Sequence, residues 1–185
     1  MVEVTVHDIL LRVPKGVAIQ WPQDYSKLGN MAYVLLKERV GERILSIWVG
    51  LPEGLAMAQP LAAISPPRPM THDLIVRLVE VSESQVTKVM ITKLHEQTFY
   101  ATLWVRVGDH EHEVDARPSD ALSLALRVHA PIFVAADLFE QQSLPPEQAL
   151  PAIETRIEKI DPPGEMEMEW QSFRFLLCND ADNPR

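Results

Sequence analysis

An α+β domain with a mixed or antiparallel sheet, built from two related halves, is the fold class this sequence predicts. Three observations predict it: runs in which apolar and polar residues alternate, amphipathic segments that open on a capping residue or an acid, and an internal repeat. Shifting the chain by 67 residues without a gap lays "YVLLKERVGERILSIWVGLPEGLAMA" (33–58) on "YATLWVRVGDHEHEVDARPSDALSLA" (100–125). Seven of the 26 aligned positions are identical: Tyr33/Tyr100, Leu36/Leu103, Arg39/Arg106, Val40/Val107, Gly41/Gly108, Leu55/Leu122 and Ala58/Ala125. Because the turn and the helix start align together, duplication of a strand-strand-helix motif explains the match.

In chain order, "MVEVTVHDILLRV" alternates apolar and polar residues as a strand does. Each repeat copy then reads as a strand, a turn containing glycine, a second strand, and a helix with an acid in its first turn. Between the copies, Thr71 can cap a helix whose Leu74, Ile75, Leu78 and Val79 form one apolar stripe, and "VTKVMIT" (86–92) has strand composition. "PIFVA" (131–135) reads as a short buried strand. Prolines break up the remainder: a helix is expected over about 146–159, and "GEMEMEWQSFRFLLCN" changes the phase of its apolar positions between Trp170 and Phe173, matching neither helix nor strand. The division that follows is a compact domain at 1–141 and an acidic, Pro-rich C-terminal tail at 142–185.

With 185 residues, 46% of them hydrophobic, the chain can bury a substantial core. The N-terminus lacks the basic region and apolar block of a signal peptide, and no run reaches the roughly 18 apolar residues of a membrane span. A single cysteine, Cys178, excludes an intrachain disulfide and fits a reducing compartment. The expectation is a cytoplasmic protein with no membrane association. The net charge of -9 sits mostly at the C-terminal end: residues 1–136 carry -2 and residues 137–185 carry -7. No Lys/Arg stripe with interleaved aromatics is present, although a near-neutral body can still hold a local basic pocket.

Two segments concentrate polar chemistry. In "DARPSDALSLALR" (115–127), Ser119 is placed to cap a helix and Asp120 to complement its dipole, a contribution of roughly 0.3–1 kcal/mol. Capping leaves Arg117 unexplained. An arginine beside the free N–H groups of a helix start can hold a phosphate. In "PPRPMTHDL" (66–74), Arg68, Thr71, His72 and Asp73 crowd together. A histidine can act as a general base or metal ligand near neutral pH, with the adjacent acid orienting it; the plain alternative is a capped helix start with both exposed. His110 and His112 share a strand face next to a turn and read as solvated surface. His7, His95 and His129 are isolated, and Cys178 has no recognisable partner. There is no phosphate-binding loop, dinucleotide fingerprint, hydrolase elbow or zinc-ligand spacing.

The ordered series "SIWVG", "PPRPMTHDL", "TFYATL", "DARPSDALSLALR" and "APIFV" resembles the bifunctional nuclease domain family over about residues 1–141. The resemblance implies an α+β fold with a duplicated strand–helix motif, nuclease action on RNA and DNA, and a homodimer. Its polar motif positions fall on Arg68, Thr71, His72, Asp73, Arg117, Ser119, Asp120 and Arg127. The chain departs from the family in a polar insert, "WPQDYSKLGN" (21–30), and in a tail without the Glu- and Arg-bearing helical motif that some members append.

The function expected is therefore hydrolysis of phosphodiester bonds. His72, Asp73 and Asp120 would be catalytic, and Arg68, Thr71, Arg117, Ser119 and Arg127 would hold the phosphate or substrate. Two acids are few for a two-metal site, so any cofactor would be a single Mg²⁺ or Mn²⁺ ion. The alternative is a non-catalytic regulatory or binding module for an anionic ligand or a protein partner. Either function needs His72 and Arg117 within about 10 Å of each other in one concavity.

Overall fold

The computed structural model describes residues 1–16, 28–158 and 168–173, with the side chains of 155–158 left aside. Residues 21–27 of the insert (21–30) and Cys178 lie outside these residues. The elements run β1 (Val2–Pro14), β2 (Met31–Glu38), β3 (Ile44–Gly50), α1 (Leu51–Leu61), α2 (Thr71–Val81), β4 (Ser84–His95), β5 (Thr98–Val107), β6 (His110–Ala116), α3 (Pro118–Val128), β7 (Ile132–Val134), α4 (Ala136–Gln142), α5 (Pro146–Glu158) and β8 (Met168–Ser172).

One mixed sheet holds the strands in the order β3-β2-β1-β7-β4-β5-β6, with β8 beside β1. Two antiparallel meanders, β1-β2-β3 and β4-β5-β6, each lead into a helix, α1 or α3. The two repeat segments thus take the same order of elements, and their turns use Gly41 and Gly108 at positive φ, 131° and 57°, where a side chain would be strained. Between the meanders β7 pairs antiparallel with β1 and parallel with β4.

Apolar alternation aims one sheet face at the helices. In β1 the phase shifts from Val4 and Val6 to Ile9, Leu11 and Val13, and the shift is a bulge between Val6 and Asp8. Bulges in β4 do the same for Val86, then Val89 and Ile91, then Leu94. They also raise the local twist. The sheet curls far enough that Ile47–Gly50 of β3 and Phe99 of β5, distant in strand order, line one cavity.

The main core lies between this face and α1, α2 and α3. α3 is its centre, burying Ala121, Leu122, Leu124 and Ala125. α1 comes close to the sheet because residue 54 is glycine: a Cβ there would stand 2.5 Å from the Cβ of Ala32. Gly54→Ala is therefore expected to lower stability by about 1–3 kcal/mol, overpacking outweighing the gain of about 1 kcal/mol in helix propensity. A urea midpoint equal to or above wild type would contradict this.

On the opposite face α5 covers the first meander, where Leu10, Tyr33, Leu35 and Ile44 meet Ala149 and Ile153. Trp170 of β8 closes this cluster edge-on against Tyr33, with ring centroids 5.3 Å apart. The segment 164–179, in which no element was expected, thus supplies a strand at 168–172: pairing with β1 decides its conformation where its own pattern does not. Among the described residues nothing covers the corresponding face of β4-β5-β6, where Lys88 lies over the Trp104 ring and Lys93 over the Tyr100 ring. Among the described residues, no helix is long and apolar enough to cross a membrane.

The expected α2 stripe divides. Ile75 and Val79 pack on the core, while Leu74 and Leu78 are exposed in a row with Met70 and Val81.

Candidate functional site

The site forms where three helix starts meet. Pro118 restricts Arg117 to extended geometry (φ -67°, ψ 144°), and α3 begins at the proline. Arg117, not Ser119, is therefore the N-cap residue. Its carbonyl accepts the N–H groups of Asp120 and Ala121. Ser119 is the second helical residue, buried, and Asp120 the third. Gly50 is the N-cap of α1, which puts Glu53 at the matching third position. α2 begins at Thr71, so Met70 is the N-cap residue and Thr71 lies inside the helix. The Met70 N–H donates to the Asp73 carboxylate at 2.8 Å.

Packing of α3 against α1 and α2 brings these starts together. Asp120 is the junction. Its Oδ1 lies 3.2 Å from His72 Nε2, and its two oxygens accept from Arg117 Nε at 2.7 Å and Nη2 at 3.2 Å. Arg117 Nη1 donates to Glu53 Oε1 at 3.3 Å. His72 and Arg117 thus reach the same oxygen atom. His72 is buried, whereas the Arg117 side chain is 66% exposed. Burial works to raise the Asp120 carboxyl; hydrogen bonds from Arg117 and His72 outweigh it and hold the group below its ordinary value.

His72, Thr71, Arg117, Asp120 and Glu53 line one cavity of about 560 Å³, whose remaining walls are largely apolar. A smaller cavity of about 270 Å³ adjoins it, sharing Glu53 and Arg117 and adding Ser119.

Asp73 and Arg127 are elsewhere. Successive helical residues differ by about 100°, so Asp73 faces away from the side His72 takes. It accepts from Arg127 Nε at 2.5 Å, and Arg127 Nη1 also donates to the carbonyls of Ala56 and Ser123. Both line a third cavity. The Arg127 side chain is only 8% exposed, and its role in this structure is to tie α3 to α1 and α2. Burial again works to raise the Asp73 carboxyl, and Arg127 with the Met70 N–H holds it low. Arg68 is exposed in the α1–α2 connection and lines neither of the first two cavities. His110 and His112 are exposed on β6.

Glu53 is the site residue that sequence reasoning missed. The signal was present, since the repeat aligns Glu53 with Asp120; what it did not show is that both acids converge on Arg117.

The donors do not fit a resident ion. Asp120 is taken by Arg117 and His72, Asp73 by Arg127 and the Met70 N–H, and among the described residues no three His, Cys, Asp or Glu side chains could hold one metal. The single Mg²⁺ or Mn²⁺ ion expected as a cofactor therefore has no ligand set among the described residues.

Both aspartates are held low, which sets a sign for stability against pH. A carboxyl whose folded value is depressed stabilises the fold above its ordinary value of about 3.9, and the contribution is lost as pH falls below it. The urea midpoint is expected to fall between pH 6 and pH 3, less steeply in Asp73→Asn. A midpoint that stays flat to pH 3 would contradict this.

A family model described as the bifunctional nuclease domain matches residues 34–147. Two uncharacterized proteins from strains of Mycobacterium tuberculosis are each 40% identical over 129 residues, covering 70% of this chain and 73% of theirs. Bifunctional nuclease 2 of Oryza sativa subsp. japonica is 32% identical over 111 residues, 58% of this chain and 34% of the rice protein. Bifunctional nuclease 1 of the indica subspecies is 29% identical over 106 residues, 56% and 32% respectively. The chain thus spans about a third of the length of these two rice proteins.

Proposed function

The chain belongs to the bifunctional nuclease domain family, and on that premise we propose that it hydrolyses phosphodiester bonds in RNA, DNA or both at the His72–Asp120–Arg117 cluster. The observation that carries the reading is that an arginine and a histidine share one carboxylate inside one cavity. With Asp120 ionised, His72 Nε2 carries its proton toward Oδ1 and Nδ1 is left as the basic nitrogen, the tautomer being assigned from the hydrogen bond. Nδ1 takes a proton from water as the water oxygen bonds to phosphorus. The bond from phosphorus to the leaving oxygen breaks, and the same proton is returned to that oxygen. Arg117 holds the phosphate and stabilises the charge that develops on it. Thr71 and Ser119 line the two sides, and Asp73 with Arg127 positions the turn that carries His72.

The test incubates the purified protein with labelled single-stranded RNA and DNA, with and without chelator, beside His72→Ala and Arg117→Ala. Absence of cleavage, or cleavage unchanged in both variants, removes the reading.

A second reading has its own support. Arg117 is already held by two carboxylates, and Pro52, Leu55, Met70 and Ile75 give the larger cavity an apolar wall. A non-catalytic module that binds a small anion with an apolar body fits this. Binding of a phosphate-bearing ligand that is lost in Arg117→Ala, without turnover, would support it. In either case the exposed row Met70, Leu74, Leu78 and Val81 supports the homodimer expected from the family.

A further inference from the structure

Resting on the phosphodiester reading above, we propose that the smaller cavity is a nucleoside subsite walled off from the His72 cavity by the Glu53–Arg117 ion pair, which a bound phosphodiester displaces so that one nucleoside sits on each side.

Glu53 and Arg117 line both cavities and are the only residues common to the two linings. They are therefore the partition between a space of about 270 Å³ and one of about 560 Å³. The partition is weakly held. Arg117 is fastened to Asp120 through Nε and Nη2, and only Nη1 reaches Glu53, at 3.3 Å and with the arginine side chain 66% exposed. An exposed ion pair of this kind exchanges readily with a competing anion. A phosphate that takes Nη1 leaves the Asp120 clamp intact, and the displaced carboxylate opens one space into the other.

The smaller cavity has the composition a base requires. Trp48, 41% exposed, supplies aromatic surface, while Phe99 at the same lining is buried in the core. Gln97 and Thr98, both exposed, bring an amide and a hydroxyl that can meet the polar edge of a base. At about 270 Å³ it is just under the roughly 300–1,000 Å³ of whole-ligand pockets, which suits one fragment of a longer ligand.

Glu53 then acts as a competitor for the phosphate seat. Glu53→Gln removes the competing charge. Gly50→Ala offers an independent route, because a Cβ at Gly50 would collide with Glu53 Oε2 and push the carboxylate off its place without removing it, at a backbone geometry alanine accepts (φ -64°, ψ 156°).

Calorimetric titration with the hydrolysis-resistant phosphorothioate of thymidylyl-(3′→5′)-thymidine and with thymidine 3′- and 5′-monophosphates tests this. The dinucleotide should bind about tenfold or more tightly than either mononucleotide. Trp48→Ala should bring it down to their level, and Trp48→Phe should keep the difference. Glu53→Gln and Gly50→Ala should each tighten dinucleotide binding several-fold. A dinucleotide that binds no better than the mononucleotides, or unchanged affinity in Trp48→Ala and Glu53→Gln alike, overturns the subsite. If long strands are still cleaved in that case, the subsite alone has failed. If no nucleotide binds and no strand is cleaved, the phosphodiester reading falls and takes the subsite with it.

Discussion

Replacing His72 or Arg117 by alanine is expected to lower strand cleavage by about a hundredfold or more in each case. A positioned proton acceptor contributes about 10²–10⁴-fold, and one donor to the developing phosphoryl charge about 10²–10³-fold. The two losses should not multiply, because both side chains act through the same Asp120 oxygen. Asp120→Asn separates orientation from charge: it keeps a side chain of the same shape while ending the ion pair with Arg117, and should lower kcat more than it raises KM. Arg77→Ala, a cation 77% exposed on α2, should leave cleavage within about twofold. Since His72 is buried, each variant's thermal midpoint is measured beside its activity. Activity retained by a folded His72→Ala protein would remove the histidine from the mechanism.

Arg127→Met is expected to cost about 2–4 kcal/mol of stability, a fall of roughly 5–15 °C in Tm for a chain of this size. The substitution leaves the Asp73 carboxylate without its cation and two carbonyls, of Ala56 and Ser123, without their shared donor. Arg127→Lys should recover only part of this, since one ammonium cannot follow the guanidinium fork to three acceptors. Combined with Asp73→Asn, Arg127→Met should cost less than the two single losses added, as expected of residues in direct contact. Activity should fall in parallel, because Asp73 fixes the turn that presents His72. A loss below about 0.5 kcal/mol would mean that Arg127 is free for a substrate after all.

Much of this architecture was legible in the residues. Two gap-free copies, glycines at matching turns and acids at matching helix starts pointed to two strand-strand-helix units, which are β2-β3-α1 and β5-β6-α3. Those features are local: a glycine at positive φ or a proline before a helix constrains its own few residues wherever it stands. Legibility failed where pairing overrides pattern. The strand at Met168–Ser172 has no clean alternation, and its conformation comes from hydrogen bonds to β1. The split of the α2 stripe came from docking: a helix touches the core along a narrower face than its apolar residues occupy, so Leu74 and Leu78 were left outside.

The polar segments divide in the same way. By itself the sequence determined that Arg117 is in excess of what a helix start needs, that His72 and Asp73 open a helix, and that Glu53 and Asp120 hold equivalent places. Only the tertiary structure decided which of these groups meet. His72 and Asp120 are 48 residues apart in sequence, and Arg117 and Glu53 are 64 apart. Their contact depends on how three helices pack and on which way each first turn is rotated. That rotation sent His72 to Asp120 and Arg117, and its neighbour Asp73 to Arg127 in another cavity. Adjacent residues separate and distant ones converge because a helix turns its side chains by about 100° per residue, whereas close packing of the core fixes where each helix begins.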